Sequence, residues 1–271
     1  MALQQPVSII LCVLYGLLAV AYGWYFVKRS AAAHVWLRAG LVAVIVAHLV
    51  FFALGQWPCA AASSELRQML SALALAMVVA YFLIEWASRE RSAGVWVLSL
   101  AFLFQFVSAV GVGRGRAAAE LPQSPLVAVH VGLALVGYCA FSLSAVFALM
   151  YLVLYHQIKI RRLGLVFNGF ASLEALEAMA YRAIHFGVGF LILSLAVGER
   201  LLYRQEGRWV WGDAKILLSL AVCAFYVFVI LLRKPWAIRG RRLAAFSVLG
   251  FGMVLVVLFG GYYLSGFHRF R

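Results

Sequence analysis

Eight apolar runs, each near the length needed to cross a bilayer, recur along the whole chain. They lie at roughly 7–27, 35–54, 68–87, 94–112, 125–155, 183–203, 214–232 and 243–264. A transmembrane helix needs about 20 predominantly apolar residues, and backbone polar groups inside a bilayer must be satisfied by helical hydrogen bonds. The chain is therefore predicted to be an all-α polytopic membrane protein, a bundle of eight transmembrane helices forming one domain over residues 1–271.

The composition agrees with that interpretation, because 66% of the 271 residues are hydrophobic and only 12% are charged. A soluble domain is about a quarter charged, so a soluble enzyme, a secreted disulfide scaffold and a disordered tail are excluded. The four cysteines are scattered without a CxxC pair, which argues against zinc and thioredoxin-type chemistry. The chain also has no CxxCH segment, so it carries no covalently attached haem of its own.

The net charge of +14 would suggest nucleic acid in a soluble protein. Here the basic residues lie mostly in short loops between apolar runs, where they set topology, and no nucleic-acid partner is expected. The first run has no basic residue before it and is followed by Lys28 and Arg29, the reverse of a signal peptide. The positive-inside rule then predicts that both termini lie outside, in a multi-pass protein of the bacterial cytoplasmic (inner) membrane.

Two further features concern the packing of the helices. Six glycines are candidates for close helix approach: Gly132, Gly137, Gly187, Gly189, Gly250 and Gly252. In the cytoplasmic connector that follows the fifth run, Ser172 can cap a short helix carrying Leu173, Leu176 and Met179 at helical spacing. We expect this helix to lie on the membrane before the sixth run, and the alternative is a docking site for a cytosolic partner.

Two histidines are predicted to emerge on the same outer side of the membrane. His130 lies about one and a half turns inside the fifth run, near its outer end, and His268 lies just beyond the eighth. Imidazoles from two separate helices can ligate one iron from opposite faces. Each histidine, taken alone, is also explained as an ordinary polar residue near an interface.

The segment between the sixth and seventh runs lies on the same side and offers groups suited to haem. Trp209 and Trp211 present flat apolar surfaces, and Arg204 and Arg208 can bind the propionates. Individually, the tryptophans are equally typical of an aromatic belt, the arginines of a solvated loop, and Asp213 of a helix cap.

The remaining histidines divide into loop-edge residues and one buried candidate. His34, His156 and His185 lie at cytoplasmic ends of the predicted helices and are interpreted as ordinary polar residues. His48 lies among Val, Ala and Leu inside the second run. A histidine is costly to bury there, so it is a weaker candidate ligand, although one hydrogen-bond partner would satisfy it equally well.

Three segments then resemble a known family, the haem-handling membrane proteins of cytochrome c assembly of the CcsA and CcmC type. They are PLVAVHVGLALVGYCAFSLSAVFALMYLVLY, ASLEALEAMAYRAIHFGVGFLILSLAVGE and RGRRLAAFSVLGFGMVLVVLFGGYYLSGFH. Together they cover about 125–271, and the short HemX-like and YpjD-like members are the most similar in length. The loop WVWGDAK is shorter than the tryptophan-rich loop of the full assembly proteins.

The resemblance implies particular roles for five residues. His130 and His268 would be the external axial ligands of a non-covalent haem b, and the loop with Trp209, Trp211 and Asp213 would hold the haem edge. The further membrane histidine of the family, after that loop, falls near 231–232 and is absent here.

Three functional hypotheses follow. The first is a non-enzymatic protein that holds haem at its outer face and presents it to a second membrane subunit of cytochrome c assembly. The second is a membrane scaffold that regulates tetrapyrrole synthesis by contacting a cytosolic enzyme of that pathway through the 157–181 connector. The third is a b-type electron-transfer cytochrome that uses His48 and His130.

Overall fold

The computed structural model describes residues 4–28, 33–56, 65–88, 91–110, 125–161, 170–207 and 214–264. Within these ranges the chain forms eight α-helices and no strand. They are α1 (Gln4–Lys28), α2 (Ala33–Phe51), α3 (Glu65–Ser88), α4 (Gly94–Val110), α5 (Pro125–Lys159), α6 (Leu173–Glu206), α7 (Ala214–Leu232) and α8 (Arg241–Leu264). A π-helical turn, Phe52–Gln56, continues α2. The all-α prediction is confirmed.

Seven of these helices are long and apolar enough to cross a membrane. The remaining helix, α4, is also apolar but has only 17 residues. The eight predicted runs therefore correspond one to one with the eight helices in the described part of the chain, and the protein is a multi-pass membrane protein.

The segment before the sixth run differs from the prediction. Ser172 does cap a helix, since its side chain accepts a hydrogen bond from the Ala175 backbone N–H at 3.2 Å. That helix is α6 itself, which continues without a break to Glu206. The separate interfacial helix was wrong, because Leu176 and Ala180, 0% and 2% exposed, bury their side chains in the bundle core instead of the bilayer surface.

The helices form two groups that share one core. In the first, α4 packs against α1 and α3, and α2 packs against the same two helices. In the second, α5 packs along α6 over most of its length and also against α8, which contacts α7. Contacts of α3 with α5 join the groups. The main apolar core contains residues of all eight helices, so each helix buries one face in it.

The start of α6 aligns with the end of α1 and the start of α4. The Phe170 ring centroid lies 5.6 Å from that of Phe26 and 5.8 Å from that of Trp96. Glu85 belongs to the same end, because it accepts a hydrogen bond from Tyr22, which is also near the end of α1. We call this the Glu85 end of the bundle.

The opposite end contains His48, late in α2, and His130, early in α5. Leu135 of α5 packs against the small apolar cluster that includes Phe52, and the Phe52 ring lies 4.7 Å from the His48 ring between centroids. The two histidines therefore lie toward the same end, which we call the His130 end.

Glu85 is 1% exposed and holds the first group of helices together. Its carboxylate accepts hydrogen bonds from the Tyr22 hydroxyl at 2.6 Å and from Arg91 Nε at 2.8 Å, and Arg38 Nε lies 3.7 Å away. Burial lowers the pKa of Arg91, but the hydrogen bond and charge of Glu85, together with Tyr22 and Tyr25, raise that pKa above its ordinary value. The guanidinium therefore stays charged and compensates the buried carboxylate, whose loss of a partner would be costly.

Glu177 makes a similar connection at the same end in the second group. Its carboxylate accepts hydrogen bonds from Arg233 Nη2 at 3.1 Å and from the Gly240 backbone N–H at 3.0 Å. The Arg233 guanidinium also lies 3.6 Å from the centre of the Tyr181 ring. These contacts explain why α6 begins ten residues earlier than the apolar pattern predicts, since the acidic residue finds its partners inside the bundle.

The glycine prediction is confirmed in part. A Cβ atom would lie 3.3 Å or less from a neighbouring helix at Gly137, Gly187 and Gly250, but would meet nothing within 4 Å at Gly132, Gly189 and Gly252. Glycine pattern alone does not specify which face of a helix meets another helix, so half of the set faces elsewhere.

Candidate haem site

His130 is held against α6 by two hydrogen bonds that Ser194 makes. The imidazole Nδ1 lies 2.8 Å from the Ser194 carbonyl oxygen, to which it donates. The Ser194 hydroxyl donates to the His130 carbonyl oxygen at 3.0 Å and lies 3.2 Å from Nδ1. Because Ser194 is 1% exposed, this double connection is fixed inside the interface between α5 and α6.

Gly198 provides the space in which the imidazole lies. A Cβ atom at this position would be 2.7 Å from Cε1 and 2.9 Å from Nδ1 of His130. Real Cβ atoms essentially never approach other atoms so closely. The absence of a side chain one turn beyond Ser194 therefore sets how closely the ring can lie against α6.

The hydrogen bonds of His130 also determine its tautomer. A proton on Nδ1, donated to the Ser194 carbonyl, places the imidazole lone pair on Nε2. Histidines that ligate metals commonly donate their other ring N–H to a backbone carbonyl, which orients the ring and raises its basicity. The residues around His130 therefore fit an axial ligand that coordinates iron through Nε2.

The structure places Arg204 at the same end as His130, in the last turn of α6 and exposed. The helix then ends at the left-handed cap Gly207, whose N–H donates to the Tyr203 carbonyl. The other predicted site residues lie outside the described part of the chain: Arg208, Trp209, Trp211, Asp213 and His268. Four of these five residues lie between the end of α6 and the start of α7, and the end of α6 lies at the His130 end.

His48 lies in a continuous hydrogen-bond chain through four helices. Tyr15 Oη lies 2.8 Å from His48 Nδ1, His48 Nε2 lies 3.1 Å from Ser71 Oγ, and Ser71 donates to Gln105 Oε1 at 2.9 Å. All four side chains are at most 3% exposed. The Ser71 hydroxyl uses its single proton to donate to Gln105, so it must accept a hydrogen bond from His48 Nε2–H. The Nδ1 atom of His48 then carries the lone pair and accepts from the Tyr15 hydroxyl.

Both ring nitrogens of His48 are thus used by protein groups. An iron atom could bind His48 only after one of these bonds was broken. Sequence inspection identified the histidine but missed Tyr15, Ser71 and Gln105, because their only common signal is a polar side chain inside an apolar run. The π-helical turn after α2, a type of irregularity frequent at functional sites, brings Phe52 against this histidine.

Glu199 follows Gly198 and places an acidic group toward the His130 end. Both of its carboxylate oxygens are buried and have no hydrogen-bond partner in the described part of the chain. Within the same ranges, no group of three or more His, Cys, Asp or Glu side chains could hold a metal ion.

Comparison with known proteins identifies the family of this chain. The model of the family described as cytochrome c assembly protein matches residues 63–268, which is well over half of the chain. The chain belongs to the cytochrome c assembly protein family. The resemblance seen in the sequence is confirmed.

Three relatives show how far the similarity extends. Protein HemX of Bacillus subtilis (strain 168) is 33% identical over 147 residues, covering 54% of this chain and 53% of HemX. Inner membrane protein YpjD of Escherichia coli (strain K12) is 27% identical over 179 residues, covering 64% and 65%. Cytochrome c biogenesis protein CcsA of Heterosigma akashiwo (strain NIES-293 / 8280G21-1) is 24% identical over 248 residues, covering 76% of each. The chain spans about half the length of the HemX relatives it matches.

The family region does not include the whole bundle. It begins just before α3 and contains His130, Ser194, Gly198 and His268, whereas α1 and α2 precede it. The candidate haem site of this cytochrome c assembly protein therefore lies within the family region. The His48 hydrogen-bond chain crosses its boundary.

Proposed function

We propose that this protein binds haem b non-covalently at the His130 end, with His130 and His268 as axial ligands. In this proposal the bundle is one membrane domain of the bacterial inner membrane, and the His130 end faces outward. The observation that carries the proposal is the hydrogen bond from His130 Nδ1 to the Ser194 carbonyl at 2.8 Å. It orients the ring and assigns the lone pair to Nε2, as coordination requires.

His268 is the proposed second ligand because of where α8 leads. That helix starts near Gly240, at the Glu85 end, and ends at Leu264, toward the His130 end. His268 follows Leu264 by four residues, which reach about 14 Å at most when extended, so we propose it for the end of the bundle at which α8 ends. The reach of the chain supports the pairing without requiring a long loop.

Five residues of the 204–213 segment are proposed to hold the rest of the ligand. Trp209 and Trp211 would cover the apolar macrocycle, while Arg204 and Arg208 would pair with the propionates. Asp213, just before α7 begins, would hold the haem edge. The exposure of Arg204 in the last turn of α6 supports its part in this arrangement.

The chain's own contribution is binding and orientation. Haem supplies the iron with its two axial positions, and the protein supplies the fixed imidazole, the apolar cover and the cations. We propose that a second membrane subunit of cytochrome c assembly receives the haem. Any covalent attachment to an apoprotein would take place on that partner, so this chain forms and breaks no covalent bond.

The test is the absorption spectrum of purified protein, oxidised and reduced, before and after haem is added. We expect a low-spin spectrum that His130→Ala and His268→Ala each abolish. His185→Ala is the matched control, because His185 also donates from Nδ1 to a backbone carbonyl, that of Tyr181, but lies toward the other end of α6. Unchanged haem content in the His130→Ala or His268→Ala protein would remove the proposed site.

Two alternatives gain less support. A regulatory scaffold would use the 157–181 connector, but Leu176 and Ala180 in that range are buried in the core. The scaffold hypothesis predicts that a cytosolic tetrapyrrole-pathway enzyme co-purifies with the protein and is lost when the connector is scrambled. A b-type cytochrome would use His48, whose two nitrogens are already hydrogen bonded, and it predicts that His48→Ala abolishes quinone-linked redox turnover.

A further inference from the structure

An apolar groove of about 900 Å³ runs between α1 and α2 on the outside of the bundle. Leu14, Leu17 and Ala21 line it from α1, and Gly40, Ala43 and Ala47 from α2. The small residues of α2 leave the space open, because large side chains at these positions would fill it. Both helices precede the family region, and none of the residues that line the groove belongs to the proposed haem site.

The two ends of the groove differ. At the Glu85 end it is flanked by Trp24 and Trp36, which are 56% and 79% exposed. Tryptophans are enriched where a bilayer meets water. Toward the other end, beyond Ala47, the side chains of Leu11, Phe51 and Phe52 form a separate buried cluster. The lining of the groove therefore extends from the exposed tryptophans to the level of Leu14 and Ala47 and does not include this cluster.

Its length matches one leaflet. From Trp24 to Leu14 the groove follows ten residues of α1, or about 15 Å at 1.5 Å per residue. The hydrocarbon core of a bilayer is about 30 Å thick, so the groove covers half of it. A transmembrane helix of a partner would need contact over the full thickness, whereas an acyl chain needs one leaflet.

A cation lies where the headgroup of such a lipid would be. Lys28 is exposed, in the last turn of α1, and residues four apart share one face of a helix. It therefore continues the face of Trp24 one turn farther toward water. Lysines near a membrane surface attract anionic lipids.

We propose that the groove between α1 and α2 binds one phospholipid with an anionic headgroup. An acyl chain lies along the small residues of α2, the glycerol region lies between Trp24 and Trp36, and the phosphate pairs with Lys28. This site is independent of haem binding and stabilises the part of the bundle that precedes the family region.

Native mass spectrometry of the full chain tests this proposal. The protein is purified in a mild detergent containing phosphatidylglycerol and phosphatidylcholine with identical acyl chains, and retained lipids are counted. We expect one phosphatidylglycerol per chain. Ala43→Phe fills the groove from an exposed position and should lower retention at least about tenfold, whereas Val46→Phe, exposed on the same helix outside the groove, should not.

The headgroup is tested separately. Lys28→Gln should lower the preference for phosphatidylglycerol over phosphatidylcholine by about fivefold, whereas Lys159→Gln, an exposed lysine at the end of α5, should leave it unchanged. Far-UV circular dichroism verifies that each variant is folded, and Ala43→Leu replaces Ala43→Phe if the latter is not. Four results would each overturn the proposal. Two concern the variants: equal retention by the groove and control variants, or an unchanged preference in Lys28→Gln. The other two concern the occupant: a retained fatty acid or isoprenoid, or a second copy of the chain in the groove.

Discussion

Gly198→Ala tests whether the fit of the His130 ring against α6 determines haem binding. The added Cβ would lie 2.7 Å from Cε1, whereas carbon atoms are separated by about 3.5 Å or more in favourable contacts. The ring must therefore retreat by roughly 0.8 Å. A movement of that size along the 2.8 Å bond from Nδ1 to Ser194 would stretch it to about 3.6 Å, beyond hydrogen-bonding distance.

Loss of this bond removes the group that orients the imidazole and fixes its tautomer. Changes to such outer partners typically weaken metal binding by about 10- to 100-fold. We therefore expect the dissociation constant for haem, measured by titration of the purified protein and absorbance, to rise by about that factor. The low-spin spectrum should weaken in parallel, while far-UV circular dichroism stays unchanged.

Gly189→Ala is the matched control, because it makes the same substitution in the same helix at a position where a Cβ meets nothing within 4 Å. Both variants gain similar helix propensity, about 1 kcal/mol, so a difference between them reports the contact with His130. If Gly198→Ala binds haem as tightly as Gly189→Ala while His130→Ala does not bind it, the reasoning about ring position is refuted. If His130→Ala also binds haem normally, the site itself is wrong.

Three further substitutions test the packing of the bundle by thermal unfolding in detergent. Glu85→Gln should destabilise the protein by about 3–5 kcal/mol, because it leaves the largely buried Arg91 guanidinium uncompensated; an unchanged midpoint would contradict this. Ser71→Ala interrupts the four-helix hydrogen-bond chain and should lower stability by about 1–3 kcal/mol, and a more stable variant would show that the chain is not stabilising. Gly187→Ala places a Cβ 2.4 Å from the Phe141 ring and should be destabilising by about 1–3 kcal/mol, unlike Gly189→Ala, and equal midpoints would argue against that close contact.

The helix count could be predicted from the sequence because membrane insertion imposes a length and an apolar composition on every helix. The start of α6 could not, since Glu177 and Arg182 interrupt the apolar pattern. The free energy of burying Glu177 is offset by Arg233 and the Gly240 N–H, which come from residues more than 50 positions away. Hydropathy contains no information about such a partner.

The candidate site was likewise predictable from the sequence only in part. His130 was recognisable because a histidine near the end of an apolar run is unusual. Gly198 was not among the glycines selected for close approach, although its contact with the His130 ring is the one that bears on ligand geometry. Which faces of α5 and α6 meet depends on the packing of all eight helices, so spacing along one helix could not identify it.

The polar contacts of α1 and α2 have a consequence for how this protein can be shortened or recombined. A chain that began at residue 63 would contain the family region but would deprive Ser71 of His48 and Glu85 of Tyr22. Glu85 would keep Arg91 and Ser71 would keep Gln105, but each would lose one of its hydrogen bonds, and polar side chains without their partners are costly inside a membrane. The first two helices therefore supply hydrogen-bond partners that the remaining six require, and an exchange of helices between relatives would have to transfer both sides of each contact together.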